Sequence, residues 1–206
     1  MDVSASFQFL VDALERDWCI IAPDWRGFGR SAWSENPYYF PEYFADLDRL
    51  IDHYQPGTPV NLIGHSMGGN VAGLYAGIRP SRVAKLALLE GFGLKPTEAN
   101  QAPARLTKWL DQLNEPPSFK TYGSVEEFAK RLQQNNRRLT FDRALYIAEH
   151  SCHETSSGKF ELLSDPAHKL TNPVLYRLEE AKACWSLISA PTLWIRVRPS
   201  PRKRSR

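Results

Sequence analysis

The sequence predicts an α/β protein with a mostly parallel sheet, helices on both faces of it, and an inserted helical region. Three observations lead there. Short apolar runs alternate with helical patterns over the first ninety residues, and parallel strands need such crossovers. The alternation then stops for about ninety residues of amphipathic pattern. It resumes in a last apolar run, SAPTLWIRV, before the composition changes abruptly.

SFQFLVDALERDW places Phe7, Leu10, Val11 and Leu14 at helical spacing, and WCIIAPD follows as a continuous apolar run read as a buried strand. WRGFGRSAWSENPYY is a glycine- and polar-rich loop. PEYFADLDRLIDHY gathers Phe44, Leu47, Leu50 and Ile51 on one helical face; QPGT then turns the chain into a strand at PVNLI. A helix from Met67 to about Ile78 stops at Arg79-Pro80, and VAKLALLE is the next strand. PARLTKWLDQL, SVEEFAKRLQQNN, DRALYIAEH and NPVLYRLEEAKACW read as helices separated by PP, YG and SSG breaks. SAPTLWIRV reads as a buried, central strand. The divisions are therefore 1–92 with 186–197 as a core, 93–185 as a helical insertion, and 198–206 as a basic, disordered tail.

Composition bounds the functional classes. With 42% hydrophobic and 12% aromatic residues, 206 residues suffice for one sizeable core. No apolar run approaches the roughly 18 residues of a membrane span, and the N-terminal sequence lacks a secretory leader pattern; the expectation is a cytoplasmic protein without a membrane partner. Cys19, Cys152 and Cys184 have no metal-like or redox-like spacing and imply no disulfide framework. The formal charge is +3, but six basic residues lie in the terminal RVRPSPRKRSR; subtracting those six leaves the rest at −3. Only that tail speaks for nucleic acid, and the insertion has neither phosphate-cradling glycines nor a basic, aromatic stripe. The tail reads either as a functional basic segment or, preferably, as the product of a shifted reading frame.

Gly64-His65-Ser66-Met67-Gly68 matches G-x-S-x-G between a strand and a helix whose face is Gly68, Gly69, Ala72, Gly73 and Ala76. That context is a nucleophile elbow, in which glycines admit a strained turn and close strand–helix approach. Ser66 is the candidate nucleophile, and the amide of Met67 a candidate oxyanion donor at a helix N-terminus.

With PDWRGFGRS at 23–31, GHSMGG at the elbow, RPSRVAKLALLEG after it and APTLWI near the end, the chain resembles an α/β-hydrolase with a helical cap. The likeness implies hydrolysis of an ester-like or related bond in a small, fairly apolar substrate, through a serine nucleophile and without cofactor or metal. Trp109, Phe119, Tyr122, Phe128, Tyr146 and Trp185 would divide between cap core and pocket lining. The family's order of Ser, acid, His leaves Glu90 as an acid candidate, with a loop-stabilising carboxylate as the other reading. His65 adjoins the nucleophile with its side chain expected to point elsewhere; His150, His153 and His168 lie in the insertion and read as surface or packing residues. His53 has no evident role. H-S-C-H-E at 150–154 matches no metalloprotease pattern. Asp24, Arg26 and Arg30 are expected to fix their loop. Against the family pattern the chain looks truncated at both ends, without the triad histidine and part of the oxyanion hole, which predicts impaired or absent activity. The alternative is a non-catalytic binding or interaction protein on the same scaffold.

Overall fold

The structure, a computed structural model, describes residues 2–196. A 3-10 turn, Ser4–Phe7, runs into α1 (Gln8–Val11), and α2 (Pro41–Tyr54), β1 (Val60–His65), α3 (Met67–Ile78) and β2 (Val83–Leu89) follow. Next come α4 (Ala102–Asn114), α5 (Val125–Asn135), α6 (Phe141–Ser151), the short strands β3 (Cys152–Glu154) and β4 (Phe160–Leu162), α7 (Leu178–Trp185) and β5 (Thr192–Ile195). The chain forms two compact units, Met1–Tyr38 with Thr107–Thr171 and Tyr39–Leu106 with Asn172–Arg206. The basic tail expected over 198–206 lies outside the described residues.

The unit containing β1, β2 and β5 is built on a parallel sheet of order β1-β2-β5. Pro41 opens α2 at a position where no amide partner is needed, and Glu42 in its first turn and His53 in its last complement the helix dipole. The expected apolar face turns inward: Ile51 is buried and Leu47 packs beside it against Ala72, Tyr75, Ala76, Val83, Leu86 and Leu88. Small residues let α3 approach the strands, and Leu88 and Val71 are completely buried. Tyr75 carries the one polar group in this core. Its hydroxyl donates to Asp48 on α2 at 2.7 Å, and burial together with that bond pushes its ionisation well above the ordinary range.

In the other unit α5 and α6 close on Phe128, Ala129, Ala144, Ala148 and Cys152. Ser124 caps α5 by accepting from the Glu127 amide at 3.2 Å, ahead of acidic residues in the first turn. Burial raises the Cys152 thiol to about 11, so it packs as a small apolar group. The loop 24–31 is held as expected of Asp24, whose carboxylate accepts from the amides of Ser4 at 2.6 Å and Arg30 at 3.0 Å. Backbone bonds from Gly29 to Leu163 and from Asp165 to Gly27 stitch that loop to residues 163–165.

His168 is a packing histidine. Its ring stacks on Phe28 at 4.0 Å and tilts against Tyr38 at 3.8 Å, and among the described residues its buried Nε2 has no hydrogen-bond partner. The Tyr38 hydroxyl, pushed up to about 12 mainly by burial, donates to Asp165 at 2.7 Å.

Four details depart from the sequence reading. WCIIAPD is not a strand: Cys19, Ile20 and Ile21 are exposed, and among the described residues no strand pairs with them, so the backbone has no ladder to join. The first helix is only a 3-10 turn and four α-helical residues, with no buried side chain to stabilise a longer one. β5, expected to be buried and central, pairs among the described residues with β2 alone, and all four of its residues are exposed. The insertion also holds an antiparallel hairpin, since SSG is the turn between β3 and β4, with Gly158 at φ 71° and Thr155 bonded to Lys159.

Two measurements probe this packing. Burial lowers the His168 value below its ordinary 6.5, so the unfolded chain takes up that proton first and stability falls as pH drops through about 6.5. His168→Phe keeps a stacking ring without the titration, and thermal melts from pH 7.5 to 5 should show a flatter dependence than wild type. Tyr75→Phe leaves Asp48 without its hydroxyl donor and should cost about 1 kcal/mol in urea unfolding.

Candidate active site at the strand-to-helix turn

β1 ends at His65, α3 begins at Met67, and Ser66 makes the turn between them at φ 51° and ψ −114°. No ordinary side-chain-bearing residue settles there without support from its surroundings. The Ser66 amide donates to Leu89 at the end of β2 at 2.9 Å. Its carbonyl accepts twice from Asn70, from the amide and from Nδ2, each at 3.1 Å.

Asn70 also reaches onward: its Oδ1 accepts from the Gly93 amide at 2.7 Å. One side chain thus ties the turn to the loop after β2. Sequence reasoning missed this residue, and the available signal was a single amide side chain four positions after the serine in a run of small apolar residues.

Bare α-carbons make the approach possible. A Cβ on Gly91 would strike the Ser66 carbonyl and stand 2.8 Å from the Gly69 α-carbon; one on Gly64 would strike the Gly68 carbonyl. Gly64 was expected from the motif, whereas the role of Gly91, in the loop after β2, was not.

Ser66 is exposed and Met67 half-buried. Met67 opens a twelve-residue helix, so its amide is among those with no intrahelical acceptor and lies at the positive end of the dipole. The parallel register sets His65 opposite Leu89, which brings Ser66 and Glu90, the next residue on each strand, to neighbouring carboxyl ends of the sheet. Glu90 also has a positive φ, 51°, and these two are the only such non-glycine residues among those described. The Glu90 amide donates to Ile195 on β5 at 2.9 Å.

The histidines divide between the units. His65 and His53 share the unit of Ser66, both exposed, with His53 edge-on to Tyr54. His150, His153 and His168 belong to the other unit. His150 Nδ1 is 2.8 Å from the Tyr146 carbonyl and its ring tilts against the same tyrosine; His153 is exposed on β3. Among the described residues the Ser66 hydroxyl has no hydrogen-bond partner, and no group of three His, Cys, Asp or Glu is placed to hold a metal ion. No helix there is long and apolar enough to cross a membrane.

Comparison with known proteins fits this arrangement. The sequence matches the alpha/beta hydrolase fold family over residues 2–186. A serine hydrolase-like protein of Danio rerio is 30% identical over 202 residues, covering 93% of this chain; the chain spans 60% of that relative's length. Lipase LipV of Mycobacterium tuberculosis is 44% identical over 71 residues, 34% of this chain and 26% of the lipase. Among solved structures, a thioesterase domain from the curacin biosynthetic pathway superposes with a TM-score of 0.82 at 25% identity, over 94% of this chain and 70% of that one. A hypothetical protein of Pseudomonas aeruginosa PAO1 gives 0.83 at 24% identity, over 94% and 69%; it shares the fold. With its parallel sheet, its strand-to-helix turn at Ser66 and a family match over most of its length, the chain belongs to the alpha/beta hydrolase fold family.

Proposed function

We propose that this chain carries the nucleophile of a hydrolase acting on an ester-like bond in a small, fairly apolar molecule, and that Ser66 is that nucleophile. The observation that carries the reading is the Ser66 backbone at φ 51° and ψ −114°, an exposed serine held in a sparsely populated conformation directly before a helix N-terminus. In the proposed reaction Oγ attacks the carbonyl carbon and its proton passes to solvent water, and the oxyanion that forms faces the Met67 amide and the positive end of α3. Collapse breaks the ester C–O bond, the leaving oxygen takes a proton from water and departs as the alcohol, and a second water hydrolyses the acyl-serine to the acid and the free serine. No cofactor enters these steps.

Glu90 is the proposed acidic group, supported by its place at the adjacent strand end. The Ser66 hydroxyl has no base bonded to it among the described residues, so the same reading gives this chain little or no turnover; oxyanion stabilisation and binding leave a residual rate when a triad is incomplete. In this reading 1–92 with 186–197 act as the core and 93–185 as the cap. A cytoplasmic setting belongs to it as well, supported by three cysteines that are all free thiols. The names of the relatives, lipase among them, favour ester over peptide substrates. No nucleic-acid role is included.

A fluorophosphonate probe tests the proposal. Wild-type chain should label slowly and at one serine, by the residual reactivity that the mounted serine keeps without a base, and Ser66→Ala should not label; a folded chain that never labels would leave a binding role on the hydrolase scaffold. Gly91→Ala pushes a methyl group into the Ser66 carbonyl, and should slow labelling by about tenfold or more while lowering stability by about 1–3 kcal/mol. If Glu90 serves the serine, Glu90→Gln slows labelling by about tenfold or more without moving the melting temperature; an unchanged rate returns Glu90 to holding its loop.

A further inference from the structure

One planar peptide unit joins Ser66 to Met67, and its carbonyl and its amide point in opposite directions. The amide is the oxyanion donor of the reaction proposed above. The carbonyl faces the other way, onto Asn70 and Gly91. Whatever holds that carbonyl therefore aims the amide.

The aim has to be imposed from outside. The rotation that sets this plane is ψ of Ser66, and at −114° with φ at 51° it lies far from the roughly +30° to +60° where a left-handed residue settles unaided. Three contacts keep it there. Asn70 donates to the carbonyl twice, from its backbone amide and from Nδ2, each at 3.1 Å, and the main chain of Gly91 abuts the same oxygen. The backbone bond forms with any residue but proline at position 70; the Nδ2 bond requires this side chain.

The side chain is itself fixed. Its Oδ1 accepts from the Gly93 amide at 2.7 Å, and the two partners settle which way it points, since a carbonyl only accepts and a backbone amide only donates. Alanine would suit the helix better at this position, so the two side-chain bonds, and not helix formation, account for an asparagine in α3. A bond accepted by a peptide carbonyl also polarises the unit and strengthens the donor at its other end.

We propose that Asn70 is a positioning residue for the oxyanion donor: it holds the Ser66 carbonyl so that the Met67 amide is aimed at the developing charge, and the Gly93 bond keeps Asn70 in place to do so. The inference rests on the reading of Ser66 as the nucleophile and adds to it a requirement at position 70 for one side chain that both donates and accepts.

Labelling of the full chain over a range of fluorophosphonate concentrations tests it, because the maximal rate constant kinact is separated from the half-saturating concentration KI. At pH 7 Asn70→Leu and Asn70→Asp should each lower kinact by about tenfold, less than the hundredfold or more, roughly, of losing an oxyanion donor outright, and leave KI unchanged. Asn70→Asp then separates the two bonds. Its carboxylate still accepts from Gly93 but cannot donate to Ser66; protonated near pH 4, about the ordinary carboxyl value, it donates again. Its kinact relative to wild type should therefore recover severalfold from pH 7 to about pH 4, while that of Asn70→Leu stays flat, with circular dichroism checking the fold at each pH. Asn70→Asp keeps the shape of the side chain and decides the matter if Asn70→Leu does not fold. A wild-type kinact in Asn70→Asp at pH 7, a change confined to KI, or a flat profile for Asn70→Asp overturns the role of Asn70 and leaves the reading of Ser66 standing. A folded wild-type chain that never labels removes the reading of Ser66 itself, and this role with it.

Discussion

Everything near Ser66 follows from one close approach, the main chain of Gly91 against the carbonyl of the serine. That contact lets the end of β2 come near enough for Leu89 to accept the Ser66 amide. It also leaves the Ser66 carbonyl within reach of both donors of Asn70. A residue at φ 51° costs of order 1–3 kcal/mol, and three hydrogen bonds of about 1 kcal/mol each are enough to offset it. The turn persists because its neighbours hold it. The same Asn70 continues to Gly93, so the positions of Glu90 and Phe92 are set by the contact that sets Ser66.

Much of this was legible from local sequence, for a physical reason. A turn such as Gly64-His65-Ser66-Met67-Gly68 is specified by residues two positions away, and the small face of α3 repeats at helical spacing, so both appear within one short window. β1, β2, α2, α4, α5 and α6 were likewise visible because an amphipathic period carries its own evidence. What could not be read depended on partners remote in sequence. WCIIAP and TLWI are both apolar runs; among the described residues only the latter finds a neighbouring strand, β2, and forms a ladder. Gly91 and Asn70 were overlooked for the same reason, since their roles exist only when the ends of β1 and β2 are side by side. The hairpin at Cys152–Leu162 was hidden by its short strands, three residues each, too few for alternation to register.

The loop at 24–31 shows how polar groups can do the work of a core. Asp24 gathers two amides, and Asp165 accepts from the Tyr38 hydroxyl and from the Ala167 amide. His168 is enclosed by Phe28 and Tyr38, and burial there favours its neutral form. Paired polar groups here fix a loop rich in glycine, which apolar packing alone would leave with many conformations. Residues 1–38 belong to one compact unit with Thr107–Thr171.

Mounting a nucleophile and activating it are separate problems with separate encodings. Mounting is solved within thirty residues, by the strand, the turn, the helix and the next strand end, and each part has a steric or hydrogen-bonding reason visible at Gly64, Asn70 and Gly91. Activation asks for a base, and a base is brought by fold topology from a segment that no local pattern specifies. His65, adjacent in sequence, illustrates the difference. It is the last residue of β1, and successive residues on a strand point to opposite faces, so adjacency in the chain works against contact with the serine. In the proposed reaction the oxyanion side has the opposite character, since the Met67 amide and the dipole of α3 belong to the same turn that positions Ser66. On that proposal the serine would have charge stabilisation beside it from its own turn, and its rate would be governed by whatever takes its proton.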